Sequence, residues 1–89
     1  MIEGLAVGRI AHYTLSEGDV PKRPSAVGTD VPAIVVAVWD KESGCANLQV
    51  FMDGTNSTGD VTASNMYWAT SRKFSEAPTP GCWHWPERV

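Results

Sequence analysis

The chain has 89 residues, the size of one small domain, and its 10 acidic and 7 basic residues give a formal charge of −3. Neither sign forms a block, which disfavours binding to a nucleic-acid duplex, because that binding depends on clustered Lys and Arg. The longest apolar run, PAIVVAVW, is far shorter than the about 20 residues of a membrane-spanning helix, so no membrane segment is predicted.

The amino-terminal residues do not have a basic start followed by a long apolar stretch, so we expect no secretory signal. A single cytoplasmic domain over residues 1–89 is therefore predicted. Cys45 and Cys82 should then stay reduced. Together with His12 and His84 they supply the ligand types of a zinc site, but no C-x-x-C or H-x-x-x-H pair is present. The spacing thus predicts neither a metal site nor a cofactor.

The first predicted strand covers residues 8–15, where alternation places His12 on one face and Tyr13 on the other. Residues 16–32 are rich in proline and glycine and predict a long loop. Residues 32–40 are almost continuously apolar and β-branched, which is typical of a central strand covered on both faces.

A hairpin is predicted next, because the turn at residues 41–44 is followed by alternating residues 45–53. Residues 53–60 are polar and predict a second turn. Residues 61–71 favour either an extended strand or one short helical turn, and the sequence leaves both open. After an irregular connection, residues 82–86 predict a last strand that ends at Pro86.

About five short strands separated by polar turns predict an all-β domain, namely an SH3-like or similar five-stranded β-barrel with two long loops. Closure into a barrel removes the exposed strand edges of a chain too short to cover them with helices. The segment from PAIVVAVW to NLQVFMDG resembles the middle of Tudor-type barrels, which have a valine-rich strand, a hairpin and a strand ending in Asp-Gly.

The tail GCWHWPERV concentrates aromatic and basic residues, and alternation places Trp83 and Trp85 on one face and His84 on the other. Two interpretations follow. The indoles complete the core beside Trp39 or Phe51, with His84 facing solvent. Alternatively, they line a slot in which a flat ring stacks, and Arg88 binds a phosphate or carboxylate.

Further groups join the second interpretation. If the first and last strands are neighbours, His12 meets His84 in a pH-sensitive or anion-binding pair. Arg72 and the basic residues of the long loop would form an anion pocket if they converge near the tail. The predicted ligand-binding residues are Trp83, His84, Trp85, Arg88, Arg72, His12 and Tyr13.

No catalytic constellation is apparent, since the chain has no GxSxG turn, no glycine-rich phosphate loop and no recognisable acid–base pair. A nucleotide hydrolase would need a base that the pattern does not identify. The sequence therefore favours a non-enzymatic protein.

Five segments of the chain resemble a group of small uncharacterised proteins of bacteriophages and prophages. The segments that carry the resemblance are VGRIAHYTL, PAIVVAVW, NLQVFMDG, WATS and WHWPERV. Between Leu15 and Pro32 the chain departs from that group, whose members have a longer and more basic insertion. The resemblance implies a phage origin and a helper role in an infected bacterial cell.

The leading hypothesis is a non-enzymatic, homo-oligomeric phage protein that captures a nucleotide-like ligand, such as an immune signal of the host. The alternative hypothesis is a virion-associated or interaction module that docks a phage or host protein through a sheet edge or an aromatic face.

Overall fold

The computed structural model describes residues 1–54 and 65–87. Its strands are β1 (Ile10–Thr14), β2 (Asp30–Asp40), β3 (Cys45–Phe51), β4 (Met66–Arg72) and β5 (Trp83–His84), and a 3-10 turn at Pro24–Ala26 lies between β1 and β2. All five strands belong to one antiparallel sheet in the order β4-β3-β2-β1-β5. The predicted all-β class is confirmed.

The hairpin of β2 and β3 turns at Gly44, whose φ of 76° lies in the left-handed region that favours glycine. Of the two alternatives for residues 61–71, the strand is found over Met66–Arg72. Residues 61–64 and most of the predicted turn at 53–60 lie outside the described residues. The last strand is shorter than predicted, with only Trp83 and His84 in the ladder.

The core lies against one side of the sheet, here called the inner face. Strand alternation brings its buried side chains together, and Leu15, Val20 and Ala26 from the β1–β2 connection cover them. The strand residues of this core are Ala11, Tyr13, Val31, Ala33, Val35, Ala46, Leu48, Val50, Ala69 and Trp83. The opposite side of the sheet is here called the outer face.

The expectation that β2 is covered on both faces is wrong. Its inner residues Val31, Ala33 and Val35 are buried, but Val36 and Trp39 are exposed. The connection between β1 and β2 packs its apolar side chains into the core, on the inner face. A continuous apolar run shows that a strand can be buried, but it does not show which layer covers it.

The chain beyond β4 returns to the other edge of the sheet. Phe74 forms an isolated parallel bridge with Trp83. The backbone N–H of Trp83 donates to the carbonyl of Lys73 at 3.0 Å, and the N–H of Ser75 donates to the carbonyl of Trp83 at 2.9 Å. These bonds fix β5 between β1 and the segment after β4. Among the described residues, β4 and β5 form no ladder with each other.

Candidate functional site

The structure places Trp83 in the core. Its side chain is fully buried, and its indole N–H donates to the carbonyl oxygen of Gly44 at 2.8 Å. The ring also packs edge-on against Phe74 and Trp85, with centroid separations of 5.0 and 4.9 Å. Trp83 therefore has no free face on which a ligand could stack. Trp39, expected beside it, is exposed on the other side of the sheet.

Tyr13 and Arg72 meet away from the tail, around the carboxylate of Asp19. The Tyr13 hydroxyl donates to Asp19 Oδ2 at 2.7 Å, and a guanidinium nitrogen of Arg72 lies 3.4 Å from Asp19 Oδ1. The backbone N–H and the hydroxyl of Ser16 donate to the same carboxylate, each at 2.8 Å. Arg72 also lies over the Tyr13 ring, 5.7 Å from its centroid. These two predicted ligand residues are thus engaged within the fold.

The same contacts determine the protonation of this cluster. Burial alone would raise the pKa of Asp19, but hydrogen bonds from Tyr13, Ser16 and Tyr67 stabilise the anion and lower the pKa below its usual value. The pKa of Tyr13 is raised, first by burial and then by the hydrogen bond to Asp19. Asp19 is therefore a buried anion held by neutral donors and one cation.

His12 and His84 lie side by side on the outer face, paired across β1 and β5. Their ring centroids are 5.7 Å apart and the ring planes are perpendicular, at 89°. The encounter predicted from strand adjacency is confirmed. The expectation that His84 faces solvent is wrong, because His84 is buried.

Asp30 joins the two histidines. It lies at the start of β2, and its Oδ2 is 3.4 Å from His84 Nε2. The hydroxyl of Thr14 donates to the other carboxylate oxygen, Oδ1, at 2.6 Å. One potential ligand atom from each of His12, Asp30 and His84 lies within 4.8 Å of the other two. Sequence reasoning missed Asp30, because only the β1–β2 register brings residue 30 beside residue 14.

A groove of about 480 Å³ opens beside this cluster. Glu76, Glu87 and the half-buried Trp85 line it together with the cluster. The guanidinium of Arg9 lies over the Trp85 ring, 4.9 Å from its centroid. Arg88, the predicted phosphate ligand, lies outside the described residues. Of the predicted ligand residues, the structure thus brings together His12, His84 and Trp85.

The outer face carries a second feature, a neutral apolar surface that sequence analysis did not identify. Across the sheet, Ile10 lies opposite Ile34, Ile34 opposite Gln49, and Gln49 opposite Trp68. Trp39 is exposed on β2, and its indole N–H donates to Asn47 Oδ1, two residues before Gln49 on β3, at 2.9 Å. We define the apolar patch as Ile10, Ile34, Val36, Trp39, Met66 and Trp68. Ile34 and Val36 alternate with the buried Ala33 and Val35, but β2 was expected to be covered on both faces and Trp39 to lie beside the core, so no pattern in the sequence indicated the patch.

Comparison with known proteins does not assign the chain to a family. Protein-family models, curated proteins and solved structures gave no match. Among the described residues, no helix is long and apolar enough to cross a membrane.

Proposed function

We propose that the protein is a non-enzymatic, self-associating interaction module of phage origin, which pairs with a second copy of itself through the apolar patch. The observation that carries the proposal is the exposure of two tryptophans, Trp39 and Trp68, on one sheet face of a very small domain. Exposed apolar patches of this kind are typical of protein interaction sites.

The area of the patch fits a dimer. Trp39 and Trp68 are 63% and 62% exposed. Since an aromatic side chain offers up to about 250 Å², these two indoles alone leave roughly 300 Å² uncovered. Ile10, Val36 and Met66 are also exposed and extend this area. Specific interfaces start at about 600 Å² per partner, so the two indoles alone supply about half of the smallest such area.

The charge of the patch is compatible with a second copy as its occupant. The chain carries a net charge of −3, so two copies repel each other over most relative orientations. In a two-fold dimer each patch residue approaches the patch of the other copy. Because no patch residue carries a charge, this contact buries no like charges against each other.

A more specific fold than an all-β sheet is part of the same proposal. We infer an SH3-like barrel, supported by the adjacency of the first and last strands and by the Phe74–Trp83 bridge at the far edge. The resemblance of VGRIAHYTL, PAIVVAVW and WHWPERV to segments of phage proteins supports the phage origin. A self-associating protein of phage origin fits a virion-associated role.

Capture of a nucleotide-like ligand is the second candidate function. Trp85 and Arg9 line a groove of about 550 Å³, which supplies an indole and a guanidinium for a base and a phosphate. Glu3 and Glu76 line the same groove and would repel a phosphate, so this candidate ranks second. A thermal-shift panel of nucleotides tests it, since a ligand at 100 times its Kd stabilises a fold by about 2.7 kcal/mol.

The oligomeric state tests the first proposal. Size-exclusion chromatography with light scattering should give a dimer for the wild-type chain and a monomer for Trp68→Ser. Val7→Ser is the matched control, because Val7 is equally exposed but lies outside the patch and outside the strands. A wild-type monomer, or a Trp68→Ser dimer as stable as the wild type, would overturn the proposal.

A further inference from the structure

We propose that His12, Asp30 and His84 form a binding site for one divalent transition-metal ion, with Zn²⁺ as the ion that fits best. The three residues come from β1, β2 and β5, so the sheet itself holds them together. Their ligand atoms lie within 4.8 Å of one another. The site belongs to a single chain and does not depend on the proposed dimer.

The distances suit zinc. Bonds of about 2.0–2.2 Å at tetrahedral angles place neighbouring ligand atoms about 3.4 Å apart. His84 Nε2 and Asp30 Oδ2 already have that separation, 3.4 Å. It is long for a hydrogen bond, whose N···O distance is usually about 2.7–3.2 Å. The ligand atom of His12 lies within 4.8 Å of the other two, so it has to approach by at most about 1.4 Å to complete the set.

A hydrogen bond from Thr14 fixes the orientation of the Asp30 carboxylate. Thr14, fully buried, donates from its hydroxyl to Asp30 Oδ1 at 2.6 Å, which leaves Oδ2 facing His84. Ligating carboxylates are commonly fixed by such outer hydrogen bonds, which set their orientation before the ion arrives. Thr14 is therefore a positioning residue of the site.

His84 gives an independent indication. Its side chain is only 10% exposed. A buried imidazole whose Nε2 faces a carboxylate at 3.4 Å is poorly satisfied, and buried polar groups normally have partners. A cation between His84 Nε2 and Asp30 Oδ2 would engage both of these atoms.

The residues around the site favour a transition-metal cation as its ligand. Glu76 and Glu87 line the same groove as Asp30, so the groove is negatively charged and attracts cations. Imidazole nitrogens favour zinc and other late transition metals over Mg²⁺ and Ca²⁺, which prefer oxygen ligands. Three protein ligands leave one tetrahedral position open towards the groove, where a glutamate or a water molecule can complete the shell.

Isothermal titration of the full chain, free of any affinity tag, tests the site with ZnCl₂ as the probe and MgCl₂ as the counter-probe. We expect one Zn²⁺ per chain and no heat from Mg²⁺. Asp30→Asn keeps the shape and the oxygen that Thr14 contacts but replaces the anionic ligand oxygen. It should weaken Zn²⁺ binding by more than the roughly 10- to 100-fold typical of outer-shell changes.

Two further variants keep the test decisive. His12→Ala alters a half-buried residue, so it should retain the fold and still lose the ion. Glu17→Gln, which removes an exposed carboxylate of the β1–β2 connection outside the site, should bind Zn²⁺ like the wild type. Circular dichroism in the presence of EDTA checks that every variant is folded. Absence of Zn²⁺ binding to the wild type, or undiminished binding to Asp30→Asn and His12→Ala, would overturn the site.

Discussion

The indole N–H of Trp83 donates a 2.8 Å hydrogen bond to the carbonyl oxygen of Gly44, 39 residues earlier in the chain. This bond ties β5, at one edge of the sheet, to the turn of the β2–β3 hairpin, on the far side of β1. It explains why a chain end carries a large aromatic residue. The tail is a structural strand on its inner face and part of the His12–Asp30–His84 site on its outer face.

Replacement of Trp83 by Phe should therefore be more costly than the same change at an exposed tryptophan. The Gly44 carbonyl would lose its buried donor, which costs about 1–3 kcal/mol. A cavity beside Phe74 and Trp85 would add to this loss. Urea unfolding measures the difference in free energy.

Trp39→Phe is the matched control, because it also removes an indole N–H that makes a hydrogen bond, but the ring is exposed and the acceptor, Asn47 Oδ1, keeps a second donor in the Ser71 N–H. We expect a loss below about 1 kcal/mol for this variant. Equal losses for Trp39→Phe and Trp83→Phe would contradict the role assigned to the Trp83–Gly44 bond.

The close packing around Gly44 gives a second prediction. A Cβ at this position would lie 2.5 Å from Phe74 Cβ and 3.1 Å from Ile2 Cγ1, and φ is 76°. Gly44→Ala thus combines a left-handed backbone, which costs about 1–2 kcal/mol, with overpacking, which adds about 1–3 kcal/mol. Thermal or urea unfolding measures the sum.

Gly28→Ala separates the two contributions. Gly28 also has a positive φ, of 90°, but an added Cβ would have no atom within 4 Å. This variant should show only the backbone loss of about 1–2 kcal/mol. If Gly44→Ala were no worse than Gly28→Ala, the close approach of Phe74 and Ile2 would be refuted.

The buried Asp19 predicts a pH dependence. Its pKa in the folded chain lies below the unfolded value of about 3.9, so its charged form stabilises the fold. That contribution is fully present above about pH 4 and is lost as pH falls through the lowered folded-state pKa. Urea unfolding should therefore show an unfolding free energy that decreases as the pH falls below about 4.

The decrease of the unfolding free energy at low pH is here called the acid limb. Asp19→Asn should make this decrease smaller. At pH 7 the variant should lose about 2–3 kcal/mol, since the donors Tyr13, Ser16 and Arg72 would face a neutral group. Glu42→Gln, at an exposed carboxylate that contacts only the chain terminus among the described residues, should change neither the acid limb nor the stability at pH 7 by more than about 0.5 kcal/mol. An unchanged acid limb in Asp19→Asn would assign the pH dependence to other groups.

The positions of the strands along the chain could be predicted because alternation and turn residues are local signals. The hairpin needs only residues 41–44 and their flanks, and the opposite directions of His12 and Tyr13 follow from a period of two. Whether an apolar residue is buried or exposed could not be predicted in the same way. Trp39 and Trp83 are chemically alike, and only the side on which the connections pack decides that one is exposed and the other buried.

The candidate metal site shows the same limit. Sequence spacing argued against a metal site because His12 and His84 are far apart in the chain and no short ligand pair exists. Antiparallel pairing of β1 with both β2 and β5 brings together residues that local patterns cannot relate. Asp30 lies within a long loop in the sequence prediction, and only the register with Thr14 identifies it as a neighbour of the histidines.

The apolar patch predicts how tryptophan exposure responds to concentration. Trp39 and Trp68 should be quenched by acrylamide in dilute solution and shielded when the dimer forms, whereas Trp83 should be shielded throughout because it is buried in the single chain. A Trp68→Ser chain should lose the concentration dependence. Equal quenching of the wild-type chain at all concentrations would contradict pairing through this patch.

Sedimentation equilibrium of the full wild-type chain tests the pairing most directly. Self-association through the apolar patch predicts a mass that rises with concentration from that of one 9.6 kDa chain to that of two. A mass of 9.6 kDa at every concentration would show that the patch does not pair two copies, and would contradict the proposed function.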